Sequence, residues 1–315
     1  MTGGQDPHGE EGGPSRAVMT VAGRGTRMLP ATRGMRKELL PLFYRGRTGT
    51  PMLAPVAHLV VRSLWGAGVR DITLVVGSDA SLLQRYFTPD AAPTEPPNSG
   101  RGDEELAALN GLLRSVNFRW AIQPSPQGFG DAVLRARSQI GESPFALHAA
   151  DAMLWEPEPG RVLRRMEAVR SQEEADVVLL VRRVRDPRRY GVVEGTSAGR
   201  FGPMRVLKVR GMEEKPPHPR SPWAATAMYA FSPAIFRALE KEAEGHPPEL
   251  EVTAGISRLL AEGAEVRALI LRPEDGLWLS VGSPEGYFRA LHRTYRKAKE
   301  GTPARPEEPP RVRQT

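Results

Sequence analysis

The stretch Arg16-Ala17-Val18-Met19-Thr20-Val21-Ala22-Gly23-Arg24-Gly25-Thr26-Arg27-Met28-Leu29-Pro30 decides the fold. Ala17–Val21 reads as a buried strand: a short apolar run bounded by turn residues suits a strand covered on both faces. It opens directly into glycines, and a strand followed by such a loop lets backbone N–H groups come close to phosphate oxygens. Taken alone, Gly23 and Gly25 fit a tight turn equally well. The loop is not a dinucleotide fingerprint, because Met28 stands at the third glycine position. Nor is it a P-loop, since no Gly-Lys-Ser/Thr ends it. Arg27 and Lys37 stand ten residues apart beside it, flanking Pro30 and Pro41. Two strong cations next to backbone amides suit a triphosphate whose leaving group is pyrophosphate.

Outward from this loop, apolar runs and helical patterns alternate. Helical spacing predicts helices over Pro51–Trp65, Asp103–Val116 and Asp131–Ile140. Ile72–Val76, Arg119–Ile122 and Phe145–Ala149 read as strands. Strands separated by helices imply a parallel sheet covered on both faces. After Asp151 the strand-like runs Val177–Val181, Val192–Glu194, Arg205–Val209 and Ala225–Phe231 lie closer together. Helices follow at Pro233–Glu244, Val252–Glu262 and Pro284–Lys299, with a strand at Val266–Leu271. The expected fold is α/β: a Rossmann-like, mostly parallel mixed sheet flanked by helices. Residues 16–300 form the domain, with halves 16–150 and 151–300 around one cleft. Residues 1–15 read as a disordered leader, 301–315 as a disordered tail, and Ala91–Gly102 as a long mobile loop.

Composition removes several classes of function. The 315 residues include no cysteine, which excludes disulfides, a thiolate nucleophile and Cys-ligated metal. No run approaches the roughly 18 apolar residues of a spanning helix. The Gly-rich, acidic start lacks the basic and apolar regions of a secretory signal. A cytoplasmic location is expected, with no membrane partner. Lys+Arg 44 against Asp+Glu 37 gives a net charge of +7. The arginines are interleaved with acids, and no stacking platform accompanies them, so no nucleic-acid partner is expected. The six histidines show no metal-ligand spacing, and His148, on the strand before Asp151, reads as a packing residue.

Arg16 to Leu42 resembles the signature of bacterial sugar-1-phosphate nucleotidylyltransferases, most closely the UTP–glucose-1-phosphate uridylyltransferases. The matching residues are Gly23, Gly25, Thr26, Arg27, Pro30 and Thr32, then Lys37, Glu38, Leu40 and Pro41; Arg36 stands where the family has proline. The resemblance extends to about residue 290. It implies the nucleotide-diphospho-sugar transferase type of fold as a single catalytic domain, with UTP and a sugar 1-phosphate as substrates and Mg²⁺ as cofactor. By the same resemblance Ala22, Gly23, Gly25, Thr26, Gln123 and Gly128 would bind the nucleotide. Gln123, ahead of Gln127-Gly128-Phe129-Gly130-Asp131, would read the base edge, since an amide both donates and accepts. Arg27, Lys37 and Asp151 would be catalytic, Asp151 as the metal ligand. Gly191 after Tyr190, with Glu214 and Lys215 of Glu213-Glu214-Lys215-Pro216, would hold the sugar phosphate. Relatives are commonly dimers or tetramers, so a homo-oligomer is implied.

Three departures stand out. Ser280, in Trp278-Leu279-Ser280-Val281-Gly282, occupies the position of the family's second metal aspartate. Ala254 follows Thr253 where the family has aspartate, and Ala227-Met228 replaces a usual Gly-Arg. A hydroxyl is a poorer partner than a carboxylate for a hard cation, although Mg²⁺ also binds through one carboxylate plus substrate phosphates. Asp275 and Asp131 are candidate substitutes. The alternatives to an active uridylyltransferase are a catalytically impaired nucleotide-sugar-binding homologue and a thymidylyltransferase using dTTP.

Overall fold

Alternation along β1 (Arg16–Val21) sets the layers: Ala17, Met19 and Val21 enter one apolar cluster and Val18 another, on opposite faces of the sheet. The computed structural model of the protein describes residues 13–23, 25–89 and 101–300. Residues 1–12 of the leader expected over 1–15, residues 91–100 of the loop expected over 91–102 and the whole tail expected over 301–315 lie outside the described residues. Within 13–15, Pro14 is buried and the Ser15 carbonyl accepts the N–H groups of Arg70 and Asp71.

After β1 come the hairpin β2 (Pro41–Arg45) and β3 (Pro51–Pro55), α1 (Val56–Gly66), β4 (Asp71–Val76), α2 (Ser81–Phe87) and α3 (Arg101–Arg114). Next are β5 (Asn117–Ile122), α4 (Phe129–Arg135), α5 (Arg137–Ile140), β6 (Phe145–Ala149), β7 (Ala152–Trp155) and α6 (Arg161–Gln172). The chain continues with β8 (Val177–Arg183), β9 (Gly191–Phe201), β10 (Met204–Glu214), β11 (Trp223–Phe231), α7 (Ala234–Ala243) and α8 (Val252–Ala261). It closes with β12 (Val266–Ile270), β13 (Leu277–Ser280) and α9 (Pro284–Glu300).

One nine-stranded sheet takes strands from both halves of the chain, in the order β5-β4-β1-β6-β11-β8-β12-β10-β9. Only β11 and β10 run against the rest, so the sheet is mixed and mostly parallel. Two small sheets, β2–β3 and β7–β13, sit beside it. Helix α9 closes over the β2–β3 hairpin: Thr294 Oγ1 accepts the Phe43 N–H at 3.2 Å, and the Tyr287 hydroxyl donates to the Pro41 carbonyl at 3.1 Å.

The helix expected from Pro51 starts later. Pro51–Pro55 pairs antiparallel with β2 and α1 begins at Val56. Proline pushes its preceding residue toward extended backbone, which keeps Thr50 and Ala54 out of a helix. The expected helix over Asp131–Ile140 is two helices that meet at Ala136. The last residues of the expected 91–102 loop, Arg101 and Gly102, already belong to α3. Strands β9 and β10 run well beyond their expected spans, because Gly195–Arg200 is exposed on a projecting hairpin and leaves no apolar pattern to read. Helix α6, α2, β7 and β13 were not expected from the sequence pattern. No helix among the described residues is long and apolar enough to cross a membrane.

Leu147, fully buried on β6 and paired with Tyr229 of β11, anchors the strand that delivers Asp151. Leu147→Ala is expected to lower unfolding free energy by about 2–5 kcal/mol, read from the shift of a urea melting curve at unchanged slope.

Candidate active site

Strands β4, β5, β1 and β6 are mutually parallel, so their carboxyl ends share one edge, where ligands gather in open α/β sheets. Ala22 and Gly23 follow β1 there. Gln123 follows β5 and donates its backbone N–H to the Val76 carbonyl at 2.8 Å. Ala150 donates its N–H to the Thr20 carbonyl at 3.0 Å, which sets Asp151 beside the glycine loop. Ala22, Gly23, Gln123 and Asp151, with Lys37, Glu38, Gly128 and Phe129, line a cavity of about 270 Å³. Gly25, Thr26 and Arg27 turn past its rim. Gly25 adopts φ 65°, and its carbonyl accepts the Met28 N–H at 2.9 Å and the Thr32 hydroxyl at 2.8 Å.

Lys37 lies at the centre. Its Nζ is 2.6 Å from Asp151 Oδ2 and 3.9 Å from Glu38 Oε1. A Cβ on residue 23 would stand 3.0 Å from that ammonium, so glycine is what lets it in. Glu38 was read from the sequence only as a motif residue, with no role assigned to it. It is buried, Oε2 has no partner among the described residues, and burial pushes its carboxyl up to about 7. The available signal was its place between Lys37 and an apolar Leu-Leu pair.

The 280 region arrives through β13, which pairs antiparallel with β7 and sets Ser280 opposite Ala152. Val281 donates its N–H to the Asp151 carbonyl at 2.9 Å. A Cβ on Gly282 would be 3.4 Å from each of Arg27 Nη2, Asp151 Oδ2 and Ser280 Oγ, so these three groups converge on one point. Ser280 Oγ accepts the Gly282 N–H at 3.2 Å. The candidate substitutes are engaged elsewhere: Asp275 takes three hydrogen bonds from Arg272, and Asp131 is bonded by Gln123 and Arg135. No cluster of three or more His, Asp or Glu in metal-ligating arrangement occurs among the described residues. Burial pushes His148 down to about 4, leaving a neutral ring that donates to the Ala149 carbonyl and stacks on Trp278 with centroids 5.5 Å apart.

Gly191, Glu214 and Lys215 come together, but beside a second cavity. The β9–β10 register sets Glu214 opposite Gly191. Lys215 donates its N–H to the Tyr190 carbonyl at 3.0 Å, and its Nζ is 3.0 Å from Glu214 Oε1, which raises the Lys215 ammonium above its ordinary range. Glu214, Glu249, Glu251 and Thr253 line this space of about 330 Å³. Burial and the nearby Glu214 push Glu251 up. The two linings are tied together where Leu250, on the second cavity, exchanges hydrogen bonds of 2.7 Å with Gln127 and Gly130, next to Gly128 and Phe129 on the first. Gly128 has φ 109° there, and a Cβ would fall 2.3 Å from the Leu250 carbonyl oxygen.

The chain matches a known family. The model of the nucleotidyl transferases covers residues 16–297 of the chain. The chain belongs to the nucleotidyl transferase family. This nucleotidyl transferase is 28% identical over 284 residues to the UTP–glucose-1-phosphate uridylyltransferase of Pseudomonas aeruginosa, covering 88% of this chain and 95% of that one. It is 28% identical over 269 residues to the glucose-1-phosphate thymidylyltransferase of Streptomyces griseus, covering 85% of this chain and 62% of that one. A solved structure of a UTP-bound UGPase from Acinetobacter baumannii superposes with a TM-score of 0.70 at 26% identity, covering 89% of this chain and 93% of that one.

The raised Glu38 carboxyl carries a pH dependence. Between the ordinary 4.5 and about 7 the folded protein keeps a proton that the unfolded chain has released. Glu38 therefore favours the folded state fully below that window, and this contribution is lost as pH rises through it. Glu38→Gln is expected to flatten the fall in melting temperature between about pH 5 and about pH 8, read against wild type by calorimetry.

Proposed function

We propose that this nucleotidyl transferase moves the uridylyl group of UTP to glucose 1-phosphate or a related sugar 1-phosphate, giving a UDP-sugar and pyrophosphate. The observation that carries the reading is the Lys37–Asp151 pair at 2.6 Å, at the carboxyl ends of β1 and β6 with Arg27 converging on the same point. The uridylyltransferase names among its relatives support the donor and acceptor.

The chemistry is one in-line displacement. A phosphate oxygen of the sugar 1-phosphate bonds to the α-phosphorus of UTP as the bond to the bridging oxygen breaks and pyrophosphate leaves. The attacking oxygen is already anionic, so no general base is required; the neutral, buried His148 agrees with that. The protein's work is positioning and charge neutralisation. Backbone amides of Ala22, Gly23, Gly25 and Thr26 receive the phosphates, with Lys37 beside the triphosphate and Arg27 on the pyrophosphate side. Gln123 and Gly128 receive the base. Lys215 aligns the incoming phosphate, Glu214 accepts from sugar hydroxyls, and Gly191 leaves room for the ring.

The donor set also fits magnesium: Asp151 offers one hard carboxylate oxygen and Ser280 a hydroxyl near it, and Mg²⁺ needs only one or two carboxylates when substrate phosphates complete its shell. When bound, the ion supplies charge neutralisation at phosphate oxygens. A cytoplasmic site of action, supported by the cysteine-free composition, and a homo-oligomer, supported by the resemblance, belong to the same proposal.

The second reading, a sugar-nucleotide binder with impaired catalysis, is favoured by one observation: a hydroxyl, not a carboxylate, faces Asp151 from residue 280. Pyrophosphate release from UTP, glucose 1-phosphate and Mg²⁺ separates the two, with dTTP run in parallel. Wild type is expected to release pyrophosphate, and UDP-glucose binding without release would favour the second reading. Arg27→Ala is expected to lower turnover by about 10²–10³-fold. Ser280→Asp is expected to raise turnover; an unchanged rate would show that position 280 does not limit it.

A further inference from the structure

Gln123 lines the nucleotide cavity, is 4% exposed, and uses its whole donor capacity inside the protein. Its Nε2 donates to Asp131 Oδ2 at 2.7 Å and to the Gly128 carbonyl at 3.1 Å. A primary amide has two N–H groups, so both are taken. Turning the amide over would press Oε1 against a carboxylate oxygen and a carbonyl oxygen with no hydrogen between them, the costly arrangement of facing acceptors. The acidic partner therefore dictates which way the amide points. Asp131 is itself fixed: Arg135, one turn along α4, donates to Oδ1 at 2.8 Å and also reaches Gln127 Oε1 at 3.4 Å. Oε1 of Gln123 accepts nothing among the described residues and is not a buried orphan.

We propose that Asp131 is a specificity-determining positioning residue, which with Arg135 locks the Gln123 amide so that only its carbonyl oxygen faces the base. This rests on the nucleotide reading above and narrows it. The sequence left Gln123 free to donate or accept, and the structure leaves it an acceptor. Uracil and thymine carry a hydrogen at N3 between two carbonyls, whereas cytosine has a lone pair there. An acceptor facing that ring edge bonds the first two and repels the third, and sites built to bond a substrate N–H discriminate strongly against analogues that lack it. Asp131 thus selects keto-pyrimidine nucleotides without touching them.

The test is calorimetric binding of UTP, CTP and N3-methyl-UTP to the full chain and to Asp131→Asn. An asparagine presents either oxygen or nitrogen to Gln123, so the Gln123 amide is free to turn. Wild type is expected to bind UTP at least about 10-fold more tightly than CTP and N3-methyl-UTP. Asp131→Asn is expected to lose most of that ratio, while Asp131→Glu, which keeps the carboxylate, retains part of it. If Asp131→Asn does not fold, Arg135→Gln, which leaves Asp131 in place but unclamped, is expected to show the same loss in smaller measure. A folded Asp131→Asn, or failing that Arg135→Gln, with the full wild-type ratio overturns the proposal and leaves the nucleotide reading standing. A wild type that binds no UTP overturns both.

Discussion

A lysine ammonium held 2.6 Å from a carboxylate, where two parallel strands end, is the interaction on which the site depends. Lys37 comes from the segment after the glycine loop and Asp151 from the end of β6, so the pair ties that loop to the sheet. Both side chains are largely withdrawn from water, at 12% and 25% exposure. Removing either partner leaves the other charge uncompensated, a cost of about 3–5 kcal/mol where such a pair is buried. Gly23 is part of the same constraint, because any side chain there meets the ammonium.

The sheet makes this contact possible. Four parallel strands deliver the glycine loop, the Gln123 amide and the Asp151 carboxylate to one edge, while the small β7–β13 sheet folds residues 280–282 over that carboxylate. The Leu250 segment, bonded to Gln127 and Gly130, stands between the first cavity and the acid-lined one next to Glu214. Lys37 at the first cavity stands close to the Asp151 and Glu38 carboxylates, and on the proposed function incoming phosphates would compete with them for it.

Much of this was legible from residues alone because β1 is short, apolar and followed at once by glycines. The strands of the first half read well for the same reason, being buried on both faces. Pro51–Pro55 misled, since its apolar residues also fit helical spacing and only the two prolines argue for extended chain. The outer half of the β9–β10 hairpin left no trace, because exposed strand residues carry no burial pattern. At the site, Ala22, Gly23, Lys37, Gln123, Gly128 and Asp151 were readable as one group through the motif order. Glu38 was readable as a motif residue but its burial was not, because it stands beside the charged Lys37, and the Asp131–Gln123 bond was hidden because it joins a strand end to a helix start. Asp131 looked like a spare metal ligand from its residue type; its partners Arg135 and Gln123 show a different use.

The central claim is that the Lys37–Asp151 contact marks a triphosphate site at the ends of β1 and β6. A crystal structure with UTP and Mg²⁺ at saturating concentration tests it most directly. The account predicts the phosphates along the amides of Ala22, Gly23, Gly25 and Thr26, with Lys37 Nζ drawn from Asp151 toward a phosphate oxygen and the uracil N3 facing Gln123. A nucleotide seated elsewhere, with the Lys37–Asp151 contact intact and the cleft beside it empty, would contradict it.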